Sequence, residues 1–136
     1  VKEKFNMDTK HVYGIAYDTE SAVLLHQTVI LEQIDDILLI NPLISYESVV
    51  MEKHYREKYV ENAVPGMLEA YDLPDLAAFH STHKVWLING MNAKSEKVTS
   101  AGYLEKYPFV KSKMFHYQLA ESNDDINDII KNWLNE

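Results

Sequence analysis

A chain of 136 residues with a formal charge of −8 and 46% apolar residues is long enough for one domain, residues 1–136, around a single hydrophobic core. It contains no cysteine, which excludes disulfides, thiolate zinc sites and thiol nucleophiles and agrees with a reducing compartment. No apolar run reaches the roughly 20 residues of a membrane span, and Val1-Lys2-Glu3-Lys4 does not open a secretory leader, so a cytoplasmic protein without a membrane partner is expected.

Lys4 to Met7 predicts a short first strand. His11 to Tyr17 and Ala22 to Val29 predict two more, joined by the polar turn Asp18-Thr19-Glu20-Ser21, so three antiparallel strands are expected to open the fold. Ile30, Ile34, Ile37 and Leu38 then recur at helical spacing until Asn41-Pro42 breaks the helix. A fourth strand is expected over Ser45 to Glu52. Tyr55 to Tyr71 predicts a helix interrupted or restarted at Pro65-Gly66, and Asp72-Leu73-Pro74-Asp75 starts a further short turn or helix. Lys84 to Ile88 predicts a late strand followed by the loop Asn89-Gly90-Met91-Asn92. Ser95 is placed to cap a helix over Glu96 to Tyr107, ended by Pro108. The last helix runs from Ser122 or Asn123 to Leu134, its apolar set Ile126, Ile129, Ile130, Trp133 and Leu134. The expected class is α/β, a mixed central sheet flanked by helices.

Charge is unevenly spread. From Lys84 to Lys113 six lysines, Lys84, Lys94, Lys97, Lys106, Lys111 and Lys113, face two acids, so this stretch is +4 and the rest −12. A basic segment of this kind either holds phosphates or is a solvated surface.

The acids suggest a chemistry. Asp8 follows Phe5-Asn6-Met7, Glu52 follows Val49-Val50-Met51, and Asp125 and Asp128 lie three apart in the last helix, on one face of it. Held together, such carboxylates are hard oxygen ligands for magnesium or manganese, and two such ions stabilise both the attacking and the leaving oxygen of a displacement at phosphorus. Each acid alone also has a plain reading, as a turn, surface or helix-capping residue. Asp18 is the alternative to Asp8, and Asp124 competes with Asp125 through its spacing of four to Asp128. His80 and His83 lack the partners of a zinc motif and read as structural or surface residues, while Trp86 and Trp133 read as core.

The order of these segments resembles the RuvC-like Holliday-junction resolvases of the ribonuclease H-like fold, in their compact phage and viral forms. Phe5-Asn6-Met7-Asp8 with Val12-Tyr13-Gly14-Ile15-Ala16 looks like the first two strands and the catalytic aspartate. Val49-Val50-Met51-Glu52-Lys53 looks like the fourth strand with its glutamate, Asn89 to Val98 like the lysine-rich segment, and Asp124-Asp125-Ile126-Asn127-Asp128 like the closing acidic motif. Lys10 stands where that family usually has a glycine. The resemblance implies three antiparallel strands followed by parallel ones. It also implies catalytic and metal-ligating Asp8, Glu52, Asp125 and Asp128, two Mg2+ or Mn2+ ions per site, and a homodimer joined through Tyr55 to Phe79. Lys53, Lys84, Lys94, Lys97, Lys111 and Lys113 would hold branched DNA, and the activity would be paired cleavage of four-way junctions. A nuclease for another branched or hybrid substrate and a non-catalytic binding protein are the alternatives.

Overall fold

Two runs dictate the architecture. Ile37-Leu38-Leu39-Ile40 and Val85-Trp86-Leu87-Ile88 are apolar at every position, so neither can turn one face to water, and strands of that kind belong inside a parallel sheet covered on both sides. A computed structural model describes residues 11–31, 33–80, 83–107 and 114–135 and places the runs in β2 (Asp36–Ile40) and β3 (Val85–Ile88), every position of the two runs buried. They are flanked by β1 (Tyr13–Tyr17) and β4 (Phe115–Gln118) in a sheet of order β1-β2-β3-β4. All three pairings are parallel, with Tyr17 opposite Ile40, Ile40 opposite Ile88 and Ile88 opposite Gln118.

Parallel neighbours need a crossover, and helical segments supply each one. Between β1 and β2 lies α1 (Glu20–Leu31). Between β2 and β3 come α2 (Tyr46–Val50), two 3-10 turns (Glu57–Val60 and Met67–Glu69) and α3 (Leu73–Phe79). The link from β3 to β4 carries α4 (Ser100–Lys106), and α5 (Asn123–Asn135) closes the order. One core joins Leu24 and Leu25 of α1, Ile37 and Leu39 of β2, Leu76 of α3 and Tyr103 of α4 on one face of the sheet. A second joins Leu38, Ile40, Trp86 and Ile88 to Ile129 and Trp133 of α5 on the other. Alternation along each strand divides the two sets. A Cβ on Gly14 would come within 3.0 Å of Leu24 and 3.2 Å of Ile34, so the bare backbone of β1 is what lets α1 lie this close.

The all-parallel sheet overturns the expected opening of three antiparallel strands, and with it the mixed ribonuclease H-like sheet. Ala22 to Val29 is helix, because its buried set Ser21, Ala22, Leu24, Leu25 and Thr28 follows the 3.6-residue repeat rather than alternation. Asp18-Thr19 therefore joins a strand to a helix and not two strands. The expected helix over Ile30 to Leu38 is instead the end of α1, a short link and β2; its helical spacing straddles two elements. Ser45 to Glu52 is not a strand but α2, where the Ser45 hydroxyl accepts the Ser48 N–H at 3.2 Å. Tyr55 to Tyr71 forms only the two 3-10 turns, with Gly66 at φ 77 between them. Thr99, not Ser95, caps α4, since Ser95 closes a turn onto the Asn92 carbonyl at φ 64. The strand Lys4 to Met7 lies outside the described residues. α3, β3 and α5 form where expected, and Trp86 and Trp133 are buried. No helix among the described residues is long and apolar enough to cross a membrane.

Candidate functional site

The acids of the expected metal centre have separate local occupations. Asp8 lies outside the described residues. Glu52, just after α2, accepts the His54 N–H and pairs with Lys94 Nζ, both at 3.0 Å; the first and then the second of these hold its pKa below the ordinary glutamate value. Asp125 accepts the N–H groups of Ser122 at 2.9 Å and Glu121 at 3.1 Å, while Ser122 Oγ accepts its own N–H at 3.2 Å. That is a reciprocal helix cap, and it lowers the Asp125 pKa mainly through the Ser122 N–H. Asp128 pairs with Lys131 one turn along, at 3.0 Å, and Asp124 is exposed in the first turn. Among the described residues no group of three or more His, Asp or Glu side chains is placed to hold a metal ion.

The basic segment is divided by the sheet. Lys84 precedes β3, at the amino edge, where its N–H donates to Asp36 Oδ1 at 2.8 Å. Lys94 and Lys97 follow β3, at the carboxyl edge, and Lys97 Nζ donates to the Ala120 carbonyl at 2.5 Å. Lys106 pairs with Glu47 at 2.5 Å, and Lys53 is exposed in a turn. Lys111 and Lys113 lie outside the described residues.

The carboxyl edge carries a different constellation. Asp18, Asn41 and Asn89 directly follow β1, β2 and β3 at φ 52, 54 and 54, the left-handed region that short Asp and Asn side chains tolerate best among residues other than glycine. Their N–H groups extend the ladder, to the carbonyls of Ile40 at 2.8 Å, Ile88 at 2.8 Å and Gln118 at 3.0 Å. Asn89 is buried and spends its Oδ1 on the Ala120 N–H at 2.8 Å. Asn41 Nδ2 donates to the Tyr17 hydroxyl at 2.6 Å, and Asn62 Nδ2 to the Thr19 carbonyl at 3.3 Å.

Asp18 differs from the two asparagines because a helix starts two residues later, the Ser21 N–H already bonding to the Asp18 carbonyl at 3.1 Å. Its Oδ2 accepts from Lys58 Nζ at 2.6 Å. Burial works most strongly to depress the Lys58 pKa, but the bond to Asp18, the charge of Asp18 and Tyr59 together outweigh it and leave the ammonium above its ordinary value. Asp18 Oδ1 and Asn41 Oδ1, neighbours one step beyond the Tyr17–Ile40 pair, are buried acceptors with no protein donor among the described residues. The Asp18 side chain as a whole is 30% exposed, with Oδ1 covered. A groove of about 310 Å³ between α2 and the 3-10 turns, lined by Val49, Val50, Val60, Val64 and Leu68, reaches Tyr46, and the Tyr46 side also closes the small space at Asp18.

Sequence reading weighed Asp18 only as a substitute for Asp8 in a metal site. The signal for its actual place was a five-residue apolar strand, Tyr13 to Tyr17, running through Asp-Thr into a segment with helical burial. Lys58 and Asn41 carried no signal, because their partners are 40 and 24 residues away. No protein-family model, curated protein or solved structure matches the chain.

Proposed function

We propose that the working site is the carboxyl edge at Asp18, and that the chain is a hydrolytic α/β domain acting on small esters with an apolar acyl part. The observation that carries this reading is the left-handed elbow by which β1 passes into α1. Parallel α/β sheets bind ligands outside the carboxyl ends of their strands, and a sharp strand-to-helix turn is how such sheets raise a nucleophile above the sheet at a helix amino end. Here the elbow carries an aspartate. Its Oδ2 would attack the carbonyl carbon, and the ester C–O bond would break with its electron pair leaving on the alkoxide. Water would then cleave the acyl-carboxylate anhydride, restoring the Asp18 carboxylate and releasing the carboxylic acid, while the water's second proton converts the alkoxide to alcohol. Lys58, rather than a histidine, is the charged neighbour. Its ammonium is placed to offset charge that develops at the reacting oxygens. The apolar groove beyond Tyr46 supports an aliphatic acyl chain as the part bound.

The test is turnover of 4-nitrophenyl esters from acetate to octanoate. Longer chains should be preferred, Asp18→Asn should lower turnover on the order of 10³-fold or more, and acid quenching should trap an acyl group on the Asp18 peptide. Unchanged turnover in Asp18→Asn would remove the proposal. Magnesium-dependent cutting of a four-way junction that survives Asp18→Asn but is lost in Glu52→Gln and Asp125→Asn would replace it with the nuclease reading. Inertness toward esters and junctions alike would leave a binding module.

A further inference from the structure

The outer strand β1 is unfinished in two ways at once. Its Tyr13, Ile15 and Tyr17 side chains are 51%, 50% and 56% exposed, on the face where α5 covers β2 and β3. An all-parallel sheet normally has both faces covered. Tyr13 meets the rings of Trp133 at 5.5 Å and His11 at 6.4 Å between centroids, and the Tyr17 hydroxyl accepts from Asn41, yet all three side chains stay about half exposed. The Val12 carbonyl accepts the Asp35 N–H, and the Asp18 N–H donates to the Ile40 carbonyl, so the even-numbered residues turn their backbone groups toward β2. Tyr13, Ile15 and Tyr17 therefore point theirs at the open edge, where no strand of the described residues pairs with them. The same residues carry the bare edge and the bare apolar face.

From this we infer that β1 pairs with β1 of a second copy, antiparallel about a two-fold axis at Ile15. The choice of partner rests on the order of the strand, Tyr13-Gly14-Ile15-Ala16-Tyr17, which reads nearly the same in both directions. A two-fold interface requires that what residue i meets in j, j meets in i. With Ile15 opposite Ile15, Tyr13 falls opposite Tyr17 of the second copy, and every outward backbone group meets its complement as a hydrogen-bonded pair. The side chains of these pairs stand on one face about 5 Å apart, within reach of one another. Asp18 then falls opposite Val12, so no acid faces an acid despite the charge of −8. The covered area is below the roughly 1,600 Å² of a standard interface, so the dimer should be concentration-dependent. The inference stands on β1 alone and is independent of any reaction at Asp18.

Sedimentation equilibrium of the full chain over micromolar to millimolar concentrations should show the mass rising from 15.8 kDa toward twice that value. Ile15→Lys sets like charges on the axis and should weaken association about a hundredfold or more. Tyr13→Lys and Tyr17→Glu should each weaken it, and the double variant should restore it, because opposite charges then face one another. Restoration separates a broken interface from a broken fold. Three results would overturn the inference: a dimer indifferent to Ile15→Lys, a monomer whose Tyr13, Ile15 and Tyr17 amides exchange slowly because the chain itself covers the edge, or a monomer in which they exchange fast.

Discussion

His80 ends α3 with its ring buried and its Nε2 2.8 Å from the Asp35 carbonyl. A carbonyl only accepts, so Nε2 carries the proton and the neutral ring suffices for the bond. Burial lowers the His80 pKa against the opposing bond to Asp35, and the His83 ring stacked at 5.3 Å works in the same direction as burial, while Asp36 and the Asp35 carboxylate oppose it. A histidine whose folded pKa lies below its unfolded value stabilises the fold fully above the unfolded value, about 6.5, and loses that contribution as pH falls through and below it. The urea midpoint should therefore drop between pH 7 and pH 5. His80→Gln, which keeps a donor for the Asp35 carbonyl, should be less stable at pH 7 but should lose less on acidification. Equal slopes in both proteins would place the acid sensitivity elsewhere. The sequence left His80 either structural or on the surface and the burial decides for the first, whereas its partner Asp35, 45 residues away, was not visible to local pattern.

At the scale of elements, the longest crossover is organised by a single carboxylate. Asp72 caps α3, its Oδ1 accepting the Leu73 N–H at 2.7 Å, while the Asp75 carboxylate accepts the Asp72 N–H at 2.8 Å. The same side chain accepts the Tyr46 N–H at 2.8 Å, the Glu47 N–H at 3.1 Å and the Ser45 hydroxyl at 2.7 Å. It thus serves the amino ends of two helices that are 26 residues apart at Tyr46. Caps contribute roughly 0.5–2 kcal/mol each, and a buried donor left without a partner costs about 1–3 kcal/mol. Asp72→Ala should therefore lower unfolding free energy by about 3 kcal/mol, read by urea denaturation, whereas Ser95→Ala, which leaves the cap of α4 untouched and removes only the partner of the Tyr59 hydroxyl at 2.9 Å, should cost about 1 kcal/mol. The reverse ranking would make Asp72 a bystander. The cap of α3 was legible because Asp72-Leu73-Pro74-Asp75 is a local signal. Its second duty was not, since α2 itself was read as a strand: Val49-Val50 has strand propensity, and only tertiary packing of Tyr46 and Val49 decides for a helix.

Over the whole molecule, the correction that matters most is the direction of the strands. Periodicity in Ala22 to Val29 and Ile37 to Ile40 shows where apolar residues lie, but an apolar run of four to eight residues suits a buried strand or a buried helix equally. Swapping the two inverted the opening topology. Once the sheet is parallel, Lys84 and the pair Lys94 and Lys97 fall at opposite ends of β3, and four described lysines are engaged with the chain's own acids, Lys58 with Asp18, Lys94 with Glu52, Lys106 with Glu47 and Lys131 with Asp128. Phosphate contacts give nucleic-acid affinity only when cations share one surface, each adding about one unit to the slope of log affinity against log salt. With a net charge of −8 around such divided and paired lysines, a four-way junction should bind no more tightly than about 10 μM at physiological salt, within the range of non-specific association. Fluorescence anisotropy across 50–300 mM salt measures this directly. Nanomolar affinity with a steep slope, flattened by Lys94→Ala with Lys97→Ala, would show that the carboxyl edge gathers phosphate contacts after all and would return branched DNA as the partner.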